Sequence, residues 1–571
     1  MANSIDIQKL TFTYRGQTDG PALDDFSLAL SDGEFLVILG PSGAGKSTLA
    51  NCLNGIIPKM IRGQYSGSVL LHGQDIQSLT VAKNAREIGL VFQEFEHQLF
   101  STNVRLEIAF SPENFNVPQA EMDPIIDAIL EVIGLEGYSH REPSTLSGGQ
   151  KQRLAIGSIL AGQPKILCMD EPTTDLDPIG KLGVFKIAEK LHHDSKITLV
   201  IIEHETEEAL HADRVLIMDQ GKILRLGSPR EILADIEIFD RCGIMPLQVP
   251  KFFSRFPDFD QDSLPLTPDE GLVVFSARGF SIDPDRHAAL VRRDDERVSR
   301  YGEVLIRVDH LTHTYPNGTT ALKDISLEVR EGEFLAVLGH NGSGKTTLVK
   351  HFNALLQPTH GHVTVCGYDI TRHSIYQIGQ EVGYVFQNPD HQIFTETVQD
   401  EVSFSPRLRG VPEAELKERV SEALHAVELD GYEQADPFTL SKGERQRVAV
   451  ASVLSARPRI VILDEPTTGL DYAEQRRMMD LVRRLNEDGH TIIMITHTMW
   501  VVAEYAHRVV VVDQGEVVMA GTTREVFAQD DALLQHQLRT PHIVHLSNQL
   551  GSTVLSVDEL AECVDRKEVL A

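Results

Sequence analysis

Residues 35–56 read FLVILGPSGAGKSTLANCLNGI. Phe35 to Leu39 is an apolar run of strand length, GPSGAGKST is rich in glycine, and TLANCLNGI carries apolar residues at helical spacing. Strand, tight loop and helix in that order build a phosphate cradle. Gly40, Gly43 and Gly45 permit backbone conformations that other residues resist, so successive N–H groups can turn inward. The helix that follows presents a partial positive charge at its first turn. Lys46 is then placed to reach the β- and γ-phosphates of a bound nucleotide, the Ser47 hydroxyl to hold Mg2+, and Thr48 to complete the loop.

The same kit recurs downstream as GHNGSGKTT, with Gly339, Gly342, Gly344, Lys345, Thr346 and Thr347. Lys345 follows Lys46 by 299 residues. Gln93 and Gln387, Ser147 and Ser441, and Asp170 and Asp464 are each 294 apart, and His204 and His497 are 293 apart. A fixed spacing over this many elements is an internal repeat. The five-residue surplus in the first copy falls near IIPKMIRGQYSG, opposite the shorter LLQPTHG, and reads as a surface-loop insertion.

Each copy also carries an apolar strand that runs into two carboxylates, ILCM before Asp170 and Glu171 and IVIL before Asp464 and Glu465. Such runs suit strands buried on both faces, and ligands gather at the carboxyl ends of those strands. Asp170 and Asp464 are placed to support the Mg2+ shell, and Glu171 and Glu465 to polarise an attacking water. PTTDLD and PTTGLD follow in register.

The 571 residues suit several domains rather than one. No apolar run reaches the length of about 18 residues that a membrane span needs, and the polar MANSIDIQKL lacks the apolar core of a secretory signal. Cys52, Cys168, Cys242, Cys366 and Cys563 are scattered without a CxxC pair, which predicts reduced thiols rather than zinc or disulfides. A net charge of −30 argues against nucleic acid as a general partner.

With LSGGQ at Leu146 to Gln150 lying between the glycine loop and the DEP strand, the chain resembles two ABC-type ATPases fused in tandem, over about residues 4–240 and 303–530. The resemblance implies an α/β fold: two P-loop nucleotide-binding domains, each with an antiparallel β region and a helical subdomain at about 103–145 and 397–439. It implies that Ser147, Gly148 and Gly149, and Ser441 and Gly443, cap the γ-phosphate held by the opposite half. His204 and His497 match the family's switch histidine, and Gln93 and Gln387 its Q-loop glutamine, which also reaches the metal. Tyr14 and Tyr315 match the aromatic that stacks on adenine.

The two signatures differ. LSKGE at Leu440 to Glu444 puts Lys442 where the first copy has a glycine and Glu444 where it has Gln150. In the head-to-tail closure that the family implies, Lys46 and Glu171 face LSKGE, while Lys345 and Glu465 face LSGGQ. The expectation is a slower site on the Lys46 side, because an anion at 444 approaches an anionic ligand.

VFQNPDHQIF, with VFQEFEHQLF in the first copy, resembles the energy-coupling-factor (ECF) class of vitamin and metal importers; the first copy departs at Glu94, Phe95 and Glu96. His97 and His391 read as loop residues, with no second metal ligand near in sequence. The likeness implies a motor at the cytoplasmic face of the cell membrane, peripheral to it, working with a T component and a substrate-binding S component. The cargo would be a vitamin, a thiamine precursor or a transition metal. The alternatives are the fused motor of a sugar or peptide importer, and a soluble tandem translation or repair factor. The intact second glycine loop disfavours the former. The acidic balance and the scattered cysteines disfavour the latter.

Domain boundaries on this reading are 1–235 for the first ATPase and 236–275 for its C-terminal extension. A charged linker follows at 276–302, whose mixed signs suit solvent. The second ATPase spans 303–530 and its extension 531–571. The two tails, MPLQVPKFFSRF and TPHIVHLSNQL, are loosely alike.

Overall fold

A computed structural model describes residues 3–17, 20–174 and 176–566. Asp175 of PTTDLD and the last five residues of the second extension lie outside them. The chain divides into two units, residues 1–266 and 267–571.

In the first unit, the run Phe35–Leu39 is a fully buried strand at the centre of a six-stranded sheet. The strand order is Lys222–Gly227, Arg214–Asp219, Phe35–Leu39, Thr198–Glu203, Ile166–Asp170, Ile88–Val91. All neighbours are parallel except the outer Lys222–Gly227. Register pairs Leu39 with Glu203 and Asp170 with Ile202, so the glycine loop, the carboxylate pair and His204 leave the sheet at one edge. A four-stranded antiparallel sheet of Leu23–Ser31, Asn3–Tyr14, Gly63–Leu71 and Gln74–Asp75 covers the helix Lys46–Leu53. The helical subdomain consists of Val104–Asn114, Gln119–Ile133 and Gly148–Leu160.

The second unit repeats this plan, with Phe334–Leu338 central in its six-stranded sheet and helices Val398–Leu408, Glu413–Ala426 and Lys442–Leu454. Cores of the same kind form because the same strand positions are apolar in both copies.

Two expectations are corrected. The surplus near IIPKMIRGQYSG is not a surface loop throughout. It forms the helical turn Ile56–Lys59 and lengthens strand Gly63–Leu71, and Ile57 is wholly buried, as its apolar side chain demands. The stretch 276–302 is not a solvated linker either. Strand Phe280–Ile282 pairs with Val564–Arg566, and Pro284–Ser299 is a helix capped by Asp283. Its charges have tertiary partners: Arg293 pairs with Glu562, and Asp294 accepts from Arg524 at 2.7 Å. The helix Pro268–Ala277, which begins inside the first copy's extension, packs on His542–Gln549 of the second. Charge alternation looks the same on a solvated coil and on a helix paired with a tail, so local reading fails there.

The cores differ at one place that matters for acid stability. Phe12 and Cys52 of the first copy correspond to His313 and His351 of the second. Both histidines are buried, their rings lie 4.9 Å apart, and each Nε2 lacks a hydrogen-bond partner among the described residues. Burial pushes His351 down to about 4. The folded state therefore refuses a proton that the unfolded chain accepts below about 6.5. The stability held by a neutral His351 is complete above that value and is lost as pH falls from 6.5 towards 4, at about 1.4 kcal/mol per pH unit. Between pH 7.5 and 5 the second unit is expected to lose about 2 kcal/mol through this residue. Calorimetry of the full chain should show its transition falling, and His351→Cys should remove most of that fall.

Candidate functional site

The loop geometry follows from its glycines. Gly45 caps the helix Lys46–Leu53 at φ +96°, a left-handed conformation, and a Cβ there would run into the Ala22 carbonyl. Gly40 is needed for space instead: its φ is ordinary, but a Cβ would strike the Met218 carbonyl on the neighbouring strand. Lys46 is buried, and its Nζ donates to the Gly40 carbonyl at 2.7 Å and the Pro41 carbonyl at 2.9 Å. Lys345 does the same with Gly339 at 2.8 Å and His340 at 3.0 Å. Both lysines thus rest on carbonyls that a phosphate would displace.

Glu171 and Glu465 follow their strands at φ +48° and +50°, unusual for a residue with a side chain. The turn is held by Glu171 N–H to Ile202 O at 3.0 Å and Glu465 N–H to Ile495 O at 2.8 Å. Such conformations recur where a structure over-determines a functional side chain. In the first copy Glu171 receives Gln93 Nε2 at 2.6 Å on one oxygen and His204 Nε2 at 2.6 Å on the other. Burial pushes the Glu171 carboxyl up, but His204 and Lys46 outweigh it and hold the group below its usual range. Three residues predicted from separate motifs are therefore in one cluster. In the second copy His497 Nδ1 lies 3.0 Å from Glu465 Oε1 and 2.9 Å from Oε2. Gln387 is exposed and makes no such bond among the described residues.

The aspartates differ as well. Asp170 is buried, and its Oδ1 has no hydrogen-bond partner among the described residues. Burial pushes its pKa up to about 6, with the bond from Ser47 and the charge of Lys46 working the other way. A buried, partly orphaned carboxylate beside a serine hydroxyl fits a hard divalent cation that prefers oxygen ligands. In the second copy the Tyr384 hydroxyl donates to Asp464 Oδ2 at 2.5 Å, where the first copy has Leu90. Tyr384 was missed by motif reading. The only signal was a leucine-to-tyrosine difference between two aligned strands.

Tyr14 and Tyr315 are anchored through their hydroxyls, to Thr48 at 2.9 Å and Thr347 at 3.1 Å, with their rings half-buried. They stand beside the glycine loop, edge-on to Phe12 and His313 respectively.

Ser147 caps the helix Gly148–Leu160, and Gln150 returns a bond to the Ser147 N–H at 3.0 Å. Ser441 and Glu444 form the same reciprocal cap, with Ser441 N–H to Glu444 Oε2 at 2.8 Å. Burial raises the Glu444 pKa, but the bonds from Ser441 and Tyr432 outweigh it, and the group stays ionised below its usual range. The Lys442 side chain folds over Gly469 of PTTGLD, where any Cβ would collide with its ammonium. Gly443 remains a glycine against Glu474. His97 pairs with Glu94 on the surface, and no cluster of three potential metal-binding His, Cys, Asp or Glu occurs among the described residues.

Residues 23–174 and 322–468 match the family described as ABC transporter. A protein of Caldanaerobacter subterraneus subsp. tengcongensis, named as an ABC transporter ATP-binding protein, is 58% identical over 98% of this chain and 99% of its own length. A similarly named protein of Methanosarcina acetivorans is 39% identical over 99% and 93%. Among solved structures, cbiO1 of Clostridium perfringens, described as part of the ABC transporter complex cbiONQ, is 36% identical. It covers 43% of this chain and 98% of its own, with a TM-score of 0.39.

Proposed function

This chain belongs to the ABC transporter ATP-binding family, as a tandem of two ATPase domains, and from that premise we propose that it is the motor of an ECF-type importer. It would work at the cytoplasmic face of the membrane, on a vitamin, a thiamine precursor or a transition metal.

The observation that carries this reading is a duplicated, rigidly held aromatic pair. The last residue of each HQLF or HQIF segment, Phe100 and Phe394, is 61% and 62% exposed. Each meets a second exposed ring, Phe110 at 4.5 Å and Phe404 at 4.8 Å. The backbone beneath them is fixed by a buried carboxylate. Glu107 accepts from the N–H groups of Phe100 and Ser101 at 3.1 and 2.7 Å, and Glu401 from those of Phe394 and Thr395 at 3.1 and 3.2 Å. Gln98 and Gln392 brace the Q-loop by accepting from Phe92 N–H at 3.0 Å and Phe386 N–H at 3.2 Å. Exposed rings on a stiff turn, beside the loop that carries Gln93 or Gln387, suit a partner's apolar helix. No helix among the described residues is long and apolar enough to cross a membrane, so that partner would be a separate T component, joined by an S component for the cargo.

In the mechanism we infer, ATP replaces the carbonyls on Lys46 and Lys345, and the glycine-loop amides receive its phosphates. Mg2+, held by Ser47, Asp170 and Gln93 or by Thr346, Asp464 and Gln387, would neutralise charge on the phosphate oxygens. Glu171 and Glu465 polarise the attacking water, and His204 and His497 hold those carboxylates in line. Head-to-tail closure of the kind the family implies would bring Ser147, Gly148 and Gly149 to the Lys345 nucleotide, and Ser441 and Gly443 to that on Lys46.

Tagged full-length protein, solubilised from its native membranes in detergent, is expected to bring down two small integral membrane proteins. The Phe100→Asp/Phe394→Asp chain should lose them, by about tenfold or more, while still binding ATP. Recovery of ribosomes in place of membrane proteins would overturn the reading.

A further inference from the structure

The second glycine loop is tied to the C-terminal extension by a chain of three side chains that the first copy lacks. His340, the second residue of GHNGSGKTT, points its Nδ1 at the Asn341 carbonyl at 2.8 Å and its Nε2 at Asp513 Oδ1 at 2.9 Å. Both partners offer oxygen acceptors, so the ring is held between them from its two sides. Asp513 ends the strand Arg508–Asp513, which pairs with the loop's own strand, Leu338 against Val511. Its second oxygen, Oδ2, accepts from His536 Nδ1 at 2.7 Å. His536 ends the helix Asp530–Gln535, and Leu533 and Leu538 beside it are wholly buried. Burial alone would raise the Asp513 carboxyl, but the two histidines outweigh it and hold the group below its usual range.

The corresponding residues of the first copy are Pro41, Asp219 and Cys242. The aspartate is kept and both histidines are gone. Proline has no side-chain donor, and burial raises the Cys242 thiol pKa, with the nearby Asp219 adding to it. Among the described residues, this three-side-chain connection is present at the second loop and absent at the first.

We propose that His340, Asp513 and His536 are positioning residues that couple docking of the C-terminal extension to nucleotide affinity at the Lys345 site. The His340 ring contacts the Asn341 carbonyl at 2.8 Å, and His340 O is one of the two carbonyls on which Lys345 rests. Fixing these carbonyls presets the loop for phosphate, so less ordering remains to be done on binding. When the tail undocks, Asp513 loses one of its two donors and its hold on His340 slackens. The first loop has no such dependence. The inference rests on ATP use by this family and not on the class of importer, so failure of the membrane pull-down leaves it standing.

The test uses the full-length chain with Glu171→Gln, so that turnover reports the Lys345 site. His536→Ala is expected to raise KM for ATP about fivefold or more, with kcat moved less than about twofold. His536→Asn, which still offers Asp513 a donor, should recover most of the loss. His340→Ala and His536→Ala should not add when combined, since both act through Asp513. In the reciprocal Glu465→Gln chain, His536→Ala should leave KM unchanged. An unchanged KM in the first background, equal shifts in both backgrounds, or full additivity would each overturn the coupling.

Discussion

Glu465→Gln is expected to cost the chain more ATPase than Glu171→Gln. On the roles proposed for Glu171 and Glu465, each substitution removes about a hundredfold or more at its own site, so each single variant reports the other site. If the halves close head-to-tail as the family resemblance implies, Glu171→Gln would leave the Lys345 site with LSGGQ, and Glu465→Gln the Lys46 site with LSKGE. The structure reduces the expected difference without abolishing it. Glu444 is turned back into a cap on Ser441 N–H at 2.8 Å, as Gln150 is on Ser147 at 3.0 Å, so the carboxylate is not aimed outward. What remains is its charge at a helix N-terminus, which offsets the partial positive charge a phosphate would meet there, worth about 0.3–1 kcal/mol. Lys442 restores a cation nearby but is folded over Gly469. The Lys46 site should then run about two- to fivefold slower. Steady-state turnover of the two purified single variants at saturating ATP measures this. Equal rates would sink the asymmetry, and Glu444→Gln should narrow the gap.

Arg524→Met should destabilise the second unit by about 3 kcal/mol. The Arg524 side chain is only 7% exposed, and its guanidinium bonds Asp294 at 2.7 Å, the Thr553 carbonyl at 2.9 Å and both oxygens of Glu559 at 2.9 Å. It joins the helix Pro284–Ser299 to Val557–Cys563 through the short helix Thr523–Phe527. Removing it leaves two largely buried carboxylates with the Leu555 N–H on Glu559 and the more distant Arg297 beside Asp294, which is the costly way to break an ion pair. They keep some contact with water, so the cost lies at the lower end of the usual range. The half-exposed pair of Arg286 with Asp565 at 2.9 Å makes a contrast: Arg286→Met should cost under about 1 kcal/mol. Limited proteolysis reads the difference directly. In the Arg524 variant the first cuts should fall within 284–299, whereas the Arg286 variant should resist like the parent chain. Arg524→Lys should rescue poorly, because a point charge cannot grip Glu559 with two bonds.

These two expectations mark where sequence reading succeeds and where it stops. The nucleotide loops were legible because a phosphate cradle needs glycine, lysine and a hydroxyl at fixed spacing, and the backbone leaves few other ways to build it. The carboxylate strands were legible because a strand buried on both faces must be apolar up to its functional end. The clustering of Gln93, His204 and Glu171 was implied by motif order, and bonds of 2.6 Å realise it. By contrast, Asp283 to Glu303 reads as solvated coil, and the partners of Arg293 and Asp294 within it lie more than two hundred residues away. Tyr384 on Asp464 and His536 on Asp513 were equally hidden, because a lone tyrosine in a strand or histidine in a tail carries no local signature.

The chain's sequence by itself determined that there are two ATPase domains, nominated the residues of each site, and showed that the second signature departs from the first. Those properties follow from short-range stereochemistry and periodicity. Only the tertiary structure decided that Glu444 caps its own helix, that the charged stretch is a helix held by Arg524, and that one glycine loop is tied to the tail. Each of these depends on which distant side chain meets a charge once water is excluded. Spacing along the chain does not encode that choice, because it is made by packing.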